Sequence, residues 1–139
     1  MTALLDVNVL VALAWPEHLH HSQASVWFAH HCDESWATTP VTELGLLRLS
    51  TNPRVVGDAL TPAEGIELLR RLRGVPTHQF WPDDIAVGGE DVDWMTVHTH
   101  RQVTDARLVG IARRHGGLLA TLDRDLVRRH GPDAVLVET

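Results

Sequence analysis

The chain has 139 residues, 44% of them apolar, and a formal net charge of −6 at pH 7. That is the length of one domain, expected to span residues 1–139, with mass enough for a sizeable core; it excludes a disordered acidic tail and a protein that coats nucleic acid with positive charge. The single cysteine, Cys32, can form no internal disulfide and no thiolate metal site, so a reducing, cytoplasmic setting is expected.

Leu4 and Leu5 lead into Asp6, and the apolar run 7–13 follows. This reads as a short buried strand, a turn, and a helix that stops before Pro16. The run carries Asp6 and Asn8, has no basic residue before it, and falls short of the roughly 20 residues that span a bilayer, so no signal peptide or membrane anchor is expected. From about His18 to His31 the pattern is helical, with Ala24, Trp27 and Phe28 at core spacing.

Trp36–Thr38 reads as a second strand, and Thr39-Pro40 as a helix start carrying Glu43 in its first turn. Thr61-Pro62-Ala63-Glu64 is a second such start, with Glu64 placed for a capping box, and its helix runs to about Arg73 before Gly74. His78 to Trp81 reads as a strand. After Gly88-Gly89 an amphipathic stretch is expected from about Asp91 to His100. Thr104-Asp105 opens a helix with Leu108, Val109, Ile111 and Ala112 on one face, ended by Gly116-Gly117. Leu118 to Leu122 is a buried strand, a short helix surrounds Leu126, and Ala134 to Val137 is a last strand. Strands alternating with helices imply an α/β fold: a central, mostly parallel sheet flanked by helices, with its site beyond the carboxyl ends of the strands.

Four acids recur where such a sheet would expose them. Asp6 and Asp123 each follow a run of apolar strand residues; Glu43 and Asp105 each lie in the first turn of a helix. Singly, an acid in a first turn complements the helix dipole and says little. Together on one edge, carboxylates repel and raise one another's pKa unless a cation compensates. Oxygen-only ligands suit Mg²⁺ or Mn²⁺, which bind substrate phosphate and activate water for in-line attack on a phosphodiester.

Asp6-Val7-Asn8 after an apolar strand, Thr42-Glu43-Leu44, Thr104-Asp105-Ala106 and Thr121-Leu122-Asp123-Arg124-Asp125 resemble, in order and spacing, the motifs of PIN domains, and more narrowly those of VapC-type toxins of bacterial toxin–antitoxin pairs. The resemblance runs from Leu4 to about Val137. It implies a PIN-like three-layer sandwich and a ribonuclease that needs Mg²⁺ or Mn²⁺, and a homodimer held inactive by a cognate antitoxin. Carried over by position, Asp6, Glu43, Asp105 and Asp123 form the acidic cluster, with Asp6, Asp105 and Asp123 on the metal. Asn8 and Thr121 orient those carboxylates, and Asp125 either supports them or caps the short helix.

Arg107 and Arg124 lie nearest the acids in sequence and are the candidate phosphate contacts. Trp81 and Trp94 are the better candidates for exposed aromatic contacts, with core packing the simpler role for both. Three other readings stay open on the residues alone. Asp6 could be the nucleophile of a phosphatase, although such enzymes want an acid where Asn8 stands and a lysine near the phosphate, and all twelve basic residues here are arginine. His18, His20, His21, His30 and His31 could bind zinc or nickel, but on one helix they do not share a face. The fold could also serve as an inactive RNA-binding module, against which stands the full set of acids.

Overall fold

The computed structural model describes residues 1–138. In chain order it contains β1 (Ala3–Leu5), α1 (Val7–Ala14), α2 (His21–His31), β2 (Trp36–Thr38), α3 (Pro40–Ser50), α4 (Pro62–Arg73), β3 (His78–Phe80), α5 (Val103–Arg114), β4 (Leu118–Thr121), α6 (Arg124–His130) and β5 (Ala134–Leu136). The five strands form one sheet in the order β3-β2-β1-β4-β5, and every pairing is parallel. The sheet is therefore wholly parallel, where the sequence pattern implied a mostly parallel one.

Alternation along the strands divides the interior in two. Ala3, Leu5, Trp36 and Ala120 face a core closed by α1 to α4, with Val9, Leu10, Ala24, Trp27 and Leu46 buried in it. Leu4, Ala37 and Leu119 face the opposite core, filled by Leu108, Val109 and Ile111 of α5 and Leu126 of α6. Leu4 and Leu5 are both completely buried, on opposite faces of one strand. Burial on both faces is why the strands read as unbroken apolar runs.

The helix starts follow their local chemistry. Thr61 and Glu64 form the expected reciprocal capping box of α4, and Pro62 occupies the first turn. At α3 the Thr42 hydroxyl accepts the Thr39 N–H at 3.1 Å, while the Thr39 hydroxyl donates to the Trp81 carbonyl at 2.7 Å. That second bond ties the carboxyl end of β2 to the chain leaving β3.

One expectation is corrected. α2 begins at His21 rather than near His18, because the His20 N–H turns back to the His18 ring nitrogen at 3.0 Å. The amphipathic stretch from Asp91 to His100 holds the 3-10 turn Trp94–Thr96, and a second turn, His100–Gln102, begins at its end. The Asp93 side chain accepts from the Met95 N–H at 3.1 Å and shapes the first turn, while Val92, Trp94 and Val97 pack on the α5 core. Apolar spacing was satisfied here by packing without helical hydrogen bonds. Among the described residues no helix is long and apolar enough to cross a membrane.

Because β1 lies between β2 and β4, the chain runs outward through β2 and β3 and then returns to the other side of β1. The carboxyl ends of β1 and β4 thus flank the switch point at which parallel sheets bind ligands. Gly116 turns the chain into β4 with a φ of +70°, and Gly117 passes against β1. A Cβ at Gly117 would stand 2.4 Å from the Thr2 carbonyl oxygen and 2.7 Å from the Trp81 ring. Gly117→Ala is expected to lower stability by about 1–3 kcal/mol, seen as a lower urea midpoint at unchanged m-value; an unchanged midpoint would mean that the strand end yields freely.

Candidate active site

Asp6 follows the last residue of β1 and caps α1, so its backbone is fixed from both sides: its N–H donates to the Ala120 carbonyl at 2.9 Å, and its carbonyl accepts from Val9 and Leu10. The side chain is only 8% exposed. One carboxylate oxygen accepts the Val7 N–H at 2.7 Å and the other accepts the Thr121 hydroxyl at 2.8 Å.

Thr121 is the last residue of β4 and joins the two strand ends. Its one hydroxyl proton goes to Asp6, and its oxygen accepts from the Asn8 side-chain amide at 3.2 Å and from the Asp123 N–H at 3.1 Å. Asn8 completes the frame by accepting the Leu122 N–H at 3.2 Å. Asp123 in turn caps α6, its carboxylate accepting the amides of Asp125 at 2.9 Å and Leu126 at 3.2 Å. Asp105 enters from the first turn of α5.

Charge shows that these three acids feel one another. Burial pushes the Asp6 carboxyl up to about 6; the Thr121 hydrogen bond opposes this, and the charges of Asp105 and Asp123 add to it. Asp105 is raised too, first by burial, with Arg129 opposing and Asp123 reinforcing. Arg129 donates to Asp105 at 3.3 Å and also pairs with Asp125. Each of the three acids thus has a donor from the protein itself. As the side chains stand, no three His, Cys, Asp or Glu groups among the described residues enclose a single ion position.

Glu43 is held by a different set of partners. It is buried at the end of β2, where the Thr38 hydroxyl donates to it at 2.6 Å and Arg73, the last residue of α4, clasps it with both arms of its fork. Since the Thr38 proton is spent on Glu43, the His78 Nε2 lying 2.7 Å from that hydroxyl must be the donor, which fixes the imidazole tautomer. Burial holds His78 below the usual histidine pKa; Glu43 opposes that shift and Arg73 assists it. The four acids share the carboxyl edge, but the geometry separates them into a trio around β1 and β4 and one acid, Glu43 of α3, neutralised beside the end of β2.

The remaining expected residues divide as well. Asp125 is no cap: Asp123 has that position, and Asp125 pairs with Arg128 and Arg129. Arg107 is tied down, donating to Asp83 and to the Ile85 carbonyl, each at 2.7 Å. Both members of that pair are largely buried, so Arg107 fastens the segment after β3 onto α5, and a phosphate would have to compete with Asp83 for it. Arg124, at the start of α6, keeps a 79% exposed side chain and only a loose pair with Glu138 at 3.6 Å. Of the histidines, His21 and His31 each place Nδ1 against a backbone carbonyl, of Ala12 and Trp27. Arg73 and Arg129 were missed as site residues, because each reaches its acid across 24 to 30 positions of sequence.

A wholly parallel sheet in this order, with acids at the β1 and β4 ends, defines a PIN-type α/β fold. No protein-family model matches the chain. Ribonuclease VapC39 of Mycobacterium tuberculosis is 47% identical to it over 127 residues, 91% of each chain. Ribonuclease VapC29 of the same organism is 41% identical over 139 residues, 100% of this chain and 98% of that one. The chain belongs to the VapC family. Among solved structures, that of M. tuberculosis VapC20, described as a toxin cleaving the sarcin-ricin loop, superposes with a TM-score of 0.67 over 92% of this chain and 94% of the other. At 14% identity, that likeness is one of fold.

The burial of Asp6 makes a thermodynamic prediction. Its pKa is raised in the fold from 3.8 to about 6, so the folded state binds more protons between those values and stability falls as pH rises through them. The shift corresponds to about 2–3 kcal/mol. In chelator, Asp6→Asn should therefore be more stable than the native chain by roughly that amount at pH 8, with the gap closing near pH 3.5. Urea melts at both pH values test this, and a gap independent of pH would show that the charge is solvated.

Proposed function

We propose that this chain is a metal-dependent endoribonuclease, the toxin of a toxin–antitoxin pair, hydrolysing RNA phosphodiester bonds at the carboxyl edge of β1 and β4. The observation that carries this is the convergence of Asp6, Asp105 and Asp123 at the switch point of the sheet, Asp6 and Asp123 tied together through Thr121 and Asp105 acting on both by its charge, in a chain 47% identical to a ribonuclease.

The donor set fits a hard divalent cation. It consists of carboxylate oxygens alone, and a cation would relieve the repulsion that, with burial, lifts the Asp6 pKa. Asp6, Asp105 and Asp123 would hold Mg²⁺ or Mn²⁺, which supplies an activated water and positive charge for the phosphate. The chain's own groups do the positioning. Thr121 and Asn8 fix the Asp6 carboxylate and the Asp123 backbone, which holds the ends of β1 and β4 in register. Glu43 completes the acidic edge from α3, and Asp125, through Arg129, steadies Asp105. Arg124 is free to meet a backbone phosphate.

A phosphatase using Asp6 as nucleophile fits less well. Both of its carboxylate oxygens already accept hydrogen bonds, and the Asn8 side chain is spent on Thr121 and Leu122. A cognate antitoxin, a homodimer and a cytoplasmic setting are part of the same proposal; membership of the VapC family supports the first, and the lone buried Cys32 suits the third.

The test is cleavage of total cellular RNA by the purified protein with Mg²⁺, with Mn²⁺ and with EDTA. Discrete fragments should appear only with metal and should vanish in Asp6→Asn and in Asp105→Asn; full cleavage by either variant would remove that residue from the site. Thr121→Val, which keeps the shape and deletes the hydroxyl, should lower activity roughly 10- to 100-fold. Activity equal to the native chain's would reduce Thr121 to a packing residue.

A further inference from the structure

The aromatic side chains are spent on the interior, with one departure. Trp27, Trp36 and Trp81 are buried, and the Trp81 ring stacks on His115 at 4.7 Å and 9°, so Trp81 is core rather than an exposed contact. Trp94 packs against the second core. Phe80 stands 48% exposed. It is the last residue of β3, an edge strand, and so lies at the same carboxyl edge as the acids.

A single exposed phenylalanine is ordinary; this one is held in place. The Arg73 guanidinium lies 5.6 Å from the ring centroid, and its fork is anchored on buried Glu43. The cation therefore cannot drift, and the ring beneath it loses little further freedom on meeting a ligand. β3 is two strands from β1, a separation of about 10 Å. That places the ring beside the nucleotides flanking a bond positioned at Asp6.

We propose that Phe80, pinned by Arg73, is a stacking platform for an unpaired base of the RNA next to the cleaved bond; this rests on the ribonuclease reading above. Every base has a π-face, so the platform supplies affinity and register with little preference among bases. The charge of Arg73 is already balanced by Glu43, so the contribution is one of contact and not of phosphate attraction.

The experiment measures anisotropy of a short fluorescein-labelled single-stranded RNA with the full-length protein in EDTA, so that nothing is cut. Phe80→Ala should weaken binding about 10-fold or more while leaving the slope of affinity against salt unchanged. Replacing one base of the RNA by an abasic site should weaken binding to the native chain and make no difference to the variant. Phe80→Trp should bind at least as well as the native protein. Should circular dichroism show Phe80→Ala to be unfolded, Phe80→Leu, which keeps apolar volume without a ring, takes its place with the same expectation. Equal affinity for native and ring-less proteins would overturn the platform and assign the ring to a protein contact. Because binding is read without cleavage, that failure is separate from any failure of Asp6→Asn to abolish activity.

Discussion

A buried carboxylate has to be charged to hold a cation and is destabilised by being charged. The edge of this sheet is arranged around that conflict at Asp6. Its oxygens are satisfied by one backbone amide and one hydroxyl, neither of which carries charge, and burial together with two neighbouring acids keeps its pKa well above the usual range. The Thr121 hydroxyl decides how this is tolerated. It has one proton to give and gives it to Asp6, while its oxygen collects the Asn8 amide and the Asp123 N–H. Two strand ends and the start of α6 are thereby fixed by a single side chain.

The two cores serve this edge differently. The face covered by α1 to α4 presents Asp6 as a helix cap and Glu43 on α3; the face covered by α5 and α6 presents Asp105 and Asp123. Opposite faces of the sheet contribute acids to one rim, and each acid's own helix sets where it stands. Arginine then sorts them: Arg73 neutralises Glu43 and Arg129 partly neutralises Asp105, while Asp6 has no cationic partner among the described residues.

Much of the fold was legible because its signals are local. Strands buried on both faces are short apolar runs, and Thr39-Pro40, Thr61-Pro62 and Gly116-Gly117 mark where helices begin and end. Asp6, Asp105 and Asp123 could be placed on one rim because a strand end and a helix's first turn are sequence positions. What escaped depends on partners far apart in the chain. Nothing near Glu43 announces that Arg73 will claim it, and nothing near Arg107 announces Asp83. From Asp91 to His100 the limit was different: amphipathic spacing records which residues are buried and not the backbone that carries them, which is irregular there.

The segment that precedes it, residues 83–91, is fastened to α5 at separate points. Arg107 grips Asp83 and the Ile85 carbonyl in a largely buried contact, and Arg114 reaches Asp84 and Asp91 on the surface. Between the pins lie Ala86, Val87 and Gly88, all exposed. A loop anchored on both sides can lengthen or shorten between its anchors at little entropic cost and without disturbing the helix beneath. Such a loop is where added residues disturb least, leaving the strands, the helix caps and the Thr121 junction as they are.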